Sequence, residues 1–133
     1  MTQVAAGAFD VKILPQPAEA AGGESIGRML LDKRFHGMLD ATSKGQMLAL
    51  RTPVEGSAGY VAIEIVVGRL DGRSGTFALQ HSGTMNRGAK QLTLNVVPDS
   101  GSGELVGLSG SMDIIITEGK HSYRFEYDLR KPS

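Results

Sequence analysis

Glu64 and His81 are the two side chains of this sequence best placed to do acid–base chemistry, because the residues between them force them onto one surface. The chain there reads Tyr60-Val-Ala-Ile-Glu-Ile-Val-Val-Gly-Arg-Leu70, then Asp71-Gly72, then Arg73-Ser-Gly-Thr-Phe-Ala-Leu-Gln-His81. Asp-Gly between two β-rich runs is the pattern of a two-residue type I′ turn. Pairing outward from it sets Leu70 against Arg73, Val66 against Phe77, Glu64 against Leu79 and Ala62 against His81. Glu64 and His81 become diagonal neighbours on one face, with Tyr60 and Gly83 a step further along. A carboxylate close to an imidazole in apolar surroundings tunes the protonation of both, which suits general acid–base catalysis or ligand recognition. The plainer reading is a polar pair that satisfies itself inside the fold.

Other motifs carry less. Gly101 and Gly103 could orient backbone N–H groups toward an anion, but the dinucleotide fingerprint needs a glycine where Val106 stands. The simpler assignment is a glycine-rich corner, with Leu105 and Leu108 plugging one end of the fold. His36, His81 and His121 fall on three different strands with no short metal-ligand spacing, so no metal site and no cofactor are expected. Arg69 and Arg73, beside the Asp71-Gly72 turn, read as solvated rim charges. Neither a Gly-x-Ser-x-Gly elbow nor a cysteine is present, which disfavours acyl transfer.

The elements that must position these residues are strands. Tyr123, Phe125, Tyr127 and Leu129 alternate with Arg124, Glu126, Asp128 and Arg130, a period of two. The same pattern predicts strands near Phe9–Leu14, Ser25–Phe35, Met38–Arg51, Ala58–Leu70, Arg73–Met85, Lys90–Val97, Ser111–Thr117 and Lys120–Arg130. Glu118-Gly119 marks a second tight hairpin, in which Ile116 opposes His121 and Asp113 opposes Arg124. Gly37 and Gly45 interrupt long strand patterns, as bulges or sharp bends do. Pro15–Gly23 reads as a loose connector with room for one helical turn. The fold class is therefore all-β: an eight-stranded antiparallel barrel with little or no helix, in one domain spanning residues 1–133.

The pairing leaves open which face lines the lumen. Opposite the Glu64 face, Val61, Ile63, Ile65 and Val67 are also apolar, so the second face of that strand needs cover. A partner subunit is the natural cover, and a homo-oligomer is expected.

Composition narrows the classes. A net charge of zero argues against a general nucleic-acid binder. No apolar run is long enough to span a bilayer as a helix, and no lipidation or secretory signal is visible. With no cysteine, a cytoplasmic location fits best.

Gly37 after Phe35, Gly59-Tyr-Val-Ala-Ile-Glu64, Gly68-Arg-Leu-Asp-Gly-Arg73, Gly75-Thr-Phe-Ala-Leu-Gln-His81 and the run Val97–Gly110 resemble, over nearly the whole chain, an uncharacterised bacterial domain-of-unknown-function family. Its members are similar in fold to allene oxide cyclase and plant dirigent proteins. The resemblance implies that barrel and favours oligomers. It brings no substrate, and no catalytic residue of the plant cyclase maps onto a position here.

Together these readings give a pocket for a small apolar molecule at one barrel mouth, lined by Tyr60, Glu64, Phe77, His81, Tyr123 and Tyr127. Two alternatives stand beside it. One is an isomerase or cyclase in which Glu64 and His81 exchange protons with substrate. The other is a non-catalytic oligomeric scaffold whose barrel is filled.

Overall fold

A computed structural model describes residues 2–17 and 26–129, and in it the alternating segments close into a single antiparallel barrel. In chain order the strands are β1 (Gln3–Pro15), β2 (Ile26–Phe35), β3 (Leu39–Arg51), β4 (Ala58–Leu70), β5 (Arg73–Asn86), β6 (Ala89–Val96), β7 (Leu108–Thr117) and β8 (Lys120–Leu129). Each pairs with the next, and β8 returns to β1. One seam is weak: β6 and β7 pair only at Asn95 and Ser111.

Tight turns set the register. Asp71 and Gly72 have φ angles of 50° and 80°, and Glu118 and Gly119 have 53° and 77°. Positive values at both central residues are what a type I′ turn requires. Leu70 accordingly opposes Arg73, Glu64 opposes Leu79 and Ala62 opposes His81. Ile116 likewise opposes His121, and Asp113 opposes Arg124. A third turn of this kind, Arg87-Gly88, joins β5 to β6 and was not expected from the sequence.

Burial identifies the lumen. Ala62, Glu64, Val66 and Leu70 are buried, while Val61, Ile63, Ile65 and Val67 are each about half exposed. The Glu64 face therefore points inward, which the sequence left undecided.

The two ends of the barrel differ. At the end carrying the turns 36–38, 71–72 and 97–107, the lumen is filled by Phe35, Leu39, Leu70, Phe77, Phe125 and Tyr127. Leu105, on a single 3-10 turn at Gly103–Leu105, is buried there and Leu108 lies beside it. The glycine-rich loop lies along the first half of β5. Ser102 N donates to Thr76 O at 2.8 Å, Val97 N donates to Ala78 O at 2.9 Å, and Glu104 accepts from Ser74 N at 3.0 Å. A Cβ on Gly75 would lie 2.1 Å from Ser102 O, so the loop could not approach a larger residue. The segment is a barrel corner, and its polar atoms are engaged with β5.

Element limits differ at several places. β1 begins at Gln3 instead of Phe9, and β7 at Leu108 instead of Ser111. β1 reaches Pro15, so the predicted connector is shorter at its start. Its remainder from residue 18, the predicted strand start at Ser25, and Arg130 lie outside the described residues. No described helix is long and apolar enough to cross a membrane.

Tyr123 ties the filled end together. Its hydroxyl donates to His36 O at 2.6 Å and accepts from Leu39 N at 3.1 Å. Tyr123→Phe keeps the ring and strands both backbone groups without that partner. The expected loss is about 1–3 kcal/mol, read as a lower urea midpoint with unchanged slope. An unaltered midpoint would show that the hydroxyl does not hold the β2–β3 turn.

Candidate functional site

Glu64 sits at mid-strand on β4 and has no solvent exposure. A carboxylate there is tolerable only if its oxygens are served by donors. Three neighbouring strands provide them. Lys33 on β2 reaches Oε2 at 2.8 Å, Ser43 on β3 donates to Oε1 at 2.9 Å, and His81 Nε2 on β5 lies 2.6 Å from Oε2. Gly45, the β3 partner of Glu64, makes room, since a Cβ there would lie 2.6 Å from Glu64 Cβ. Among the described residues no buried side-chain polar atom lacks a partner.

Burial by itself would raise the Glu64 carboxyl. The hydrogen bond from His81 and the charge and hydrogen bond of Lys33 outweigh it, holding the group at about 2. Glu64 is thus a carboxylate and can only accept. His81 must therefore donate from Nε2. Burial, and then the Glu64 charge, push the Tyr60 hydroxyl above its ordinary value.

Above this cluster the barrel is open. A cavity of about 450 Å³ has Lys33 and His81 at its polar side, with Leu31, Met47, Leu92, Ile114 and Ile116 among its apolar walls. Tyr60 borders it, its ring edge-on to His81 with centroids 6.2 Å apart. A second lobe of about 420 Å³ continues along β3 to β6 and shares Met47, Tyr60, Lys90 and Leu92. Lys90 and His121 complete the polar inventory of the first lobe.

The six residues expected to line one pocket are divided. Tyr60 and His81 border the cavity, and Glu64 lies buried against His81. Phe77, Tyr123 and Tyr127 share their inward face but belong to the filled end. Phe77 stacks on Phe125 at 5.9 Å, Phe125 on Tyr127 at 5.3 Å, and Tyr123 meets Phe35 edge-on at 5.6 Å. Tyr127 donates to Gln3 Oε1 at 2.8 Å. Those three are packing residues and do not line the cavity.

Lys33 and Ser43 escaped the sequence reading. Lys33 stands between Leu31 and Phe35 on the apolar parity of β2, where a charge needs an inward partner. That signal was available and points to an acid across the lumen. Of the other histidines, His36 pairs with Asp10 at 2.9 Å and His121 packs on Phe9. No described group of three His, Cys, Asp or Glu could hold a metal ion.

The sequence profile of a family described as "Protein of unknown function (DUF3224)" matches residues 5–127. A crystal structure of a DUF3224-family protein of unknown function from Shewanella oneidensis is similar, with a TM-score of 0.92 and 51% identity. The match covers 99% of this chain and 100% of that one. Among curated proteins, none matches.

The cluster predicts an asymmetry between variants. Glu64→Leu leaves the Lys33 ammonium buried without a counter-charge and should cost about 3–5 kcal/mol. Lys33→Met combined with Glu64→Leu should recover much of that loss in thermal melts. Because the Glu64 carboxyl falls from 4.5 to about 2 on folding, its contribution is complete above pH 4.5 and disappears as pH drops through 2. A double variant no more stable than Glu64→Leu would rule out the charge pair as the cause.

Proposed function

Because the chain belongs to the DUF3224 family, whose description carries no activity, the cavity is the guide to function, and we propose that the protein binds a small apolar molecule in the open barrel mouth. One observation carries this reading: an apolar-walled cavity of about 450 Å³ in which two of the polar groups, Lys33 and His81, are held by a buried carboxylate. That size is within the ordinary range for small-molecule sites, and a few convergent polar groups on an apolar wall are their usual composition. The filled-scaffold alternative is weakened, since only one end of the lumen is packed. A cytoplasmic location belongs to the same proposal.

Proton-transfer chemistry is the second reading, and the 2.6 Å contact between Glu64 and His81 favours it. A carboxylate that fixes the imidazole tautomer leaves the other ring nitrogen available as a base. An isomerase or cyclase would use that arrangement.

Self-association is the remaining element. Val61, Ile63, Ile65 and Val67 form a continuous outward row, each just over half exposed. Leu48 and Leu50 extend the apolar surface on β3, which pairs with β4. Ile63 is paired with the uncharged Gln46 and Gln80, and Lys44, opposite Ile65, is the charged residue paired with the row. A two-fold contact would lay β4 of one copy on β4 of the other.

Two measurements check these readings. N-phenylnaphthylamine should gain fluorescence with the native protein, and Ile114→Trp, which fills the cavity, should weaken its binding by about tenfold or more. Equal binding in both proteins would place the probe elsewhere and remove the pocket reading. In light scattering, the native chain should exceed the monomer mass and Ile63→Lys should return it to a monomer. A native chain that is monomeric at every concentration would end the self-association proposal.

A further inference from the structure

The valences left over at the cavity floor, once Glu64 is served, specify the ligand. Glu64 Oε2 takes both the Lys33 ammonium and His81 Nε2–H, and Oε1 takes the Ser43 hydroxyl. Lys33 supplies one positive charge to the carboxylate at 2.8 Å. With the proton on Nε2, a neutral imidazole carries its lone pair on Nδ1. His81 is only 3% exposed, yet Nδ1 has no hydrogen-bond partner among the described residues. Since no buried side-chain polar atom lacks a partner, Nδ1 must reach open space, and the side chain faces the lumen cavity. The Tyr60 hydroxyl, bordering the same cavity, has no described hydrogen-bond partner either.

We propose that His81 Nδ1 is the docking acceptor of the cavity and that the occupant, on the binding reading above, is an apolar molecule ending in a hydroxyl: an alcohol, phenol or enol. Complementarity selects that class. A hydroxyl donates its hydrogen to Nδ1 while its oxygen accepts from Lys33 or Tyr60. An ether, ketone or carboxylate has no hydrogen to give and would set lone pair against lone pair. An ammonium could donate, but it would sit beside the Lys33 charge. Once an apolar ligand displaces water from the cavity, an unpaired Nδ1 is costly, which is why such a site discriminates against the analogue lacking the donor.

Proton movement follows the same line. With an acidic phenol or enol, the O–H bond breaks, an N–H bond forms at Nδ1, and the electron pair stays on the ligand oxygen. The resulting imidazolium lies between the Glu64 carboxylate and the new oxyanion, and Lys33 stands beside both. No further reactant is needed.

Calorimetry with para-propylphenol and para-propylanisole, its methyl ether, separates the two layers of the argument. The phenol should bind about tenfold more tightly than the ether, and His81→Leu should reduce the difference to about twofold or less. Equal binding of both compounds to the native protein would overturn the hydroxyl proposal and leave the apolar pocket standing. Failure of both to bind would overturn the two together. Nitrogen NMR of the native protein guards against a His81→Leu chain that does not fold. It should show Nε2 protonated and Nδ1 bare, with Nδ1 shifting when the phenol is added. A proton on Nδ1 in the free protein would refute the assignment.

Discussion

A carboxylate with no solvent exposure has to be supplied with hydrogen bonds from the protein, and meeting that need at Glu64 constrains half of the barrel. Its donors come from β2, β3 and β5, so the cluster cross-ties four neighbouring strands at one level. A slip of one residue in β4 would put Ile63 or Ile65 in the lumen and leave Lys33 without its acid. The close approach that Gly45 permits, the Asp71-Gly72 turn and the inward lysine all serve the same placement. Register here is set twice, once by local turn chemistry and once by charge.

That cluster also marks where the lumen changes character. On one side aromatic rings pack against each other and Leu105 closes the end. On the other side the inward residues thin out to Met47, Leu92, Ile114 and Ile116 around empty space. The weak seam lies on the open side: Lys90 and Leu92 of β6, and Ile114 and Ile116 of β7, border the cavity beyond the single Asn95–Ser111 pairing. Strands with few shared hydrogen bonds open at lower free energy than those in a full ladder. The wall beside the cavity is therefore weakest between β6 and β7.

Much of this was legible in the residues. Two Asp-Gly-like turns gave register for half the strands, and alternation gave the rest of the all-β pattern. The third turn was missed because Arg87 is a poor match for a positive φ, whereas Asp71 suits it. The start of β1 was missed because Val4-Ala-Ala-Gly-Ala8 has little strand propensity. Its small side chains are set by packing: a Cβ on Gly7 would lie 2.1 Å from His36 O and 2.9 Å from the Tyr123 hydroxyl. Phe77, Tyr123 and Tyr127 were grouped with Glu64 because parity reports the side of a strand and not its depth. Depth depends on which end the loop at 97–107 closes, a tertiary fact that no local pattern records.

Stability alone does not account for the cluster. Buried ion pairs tend to be neutral or inferior to apolar groups of the same shape, because desolvation offsets the attraction. A lumen packed with Leu at positions 33, 64 and 81 and Ala at 43 would leave none of these four positions needing a polar partner. Two structural roles are conceivable for the group that stands there instead: fixing the register, or presenting chemistry to the cavity. Register needs only Lys33, Glu64 and Ser43, which already complete the charge pair and serve both oxygens. His81 adds the hydrogen bond that does most to keep the carboxyl ionised, and it also borders the cavity. On the proposed reading, one nitrogen of His81 is held by the carboxylate and the other serves the cavity, the arrangement a proton acceptor needs.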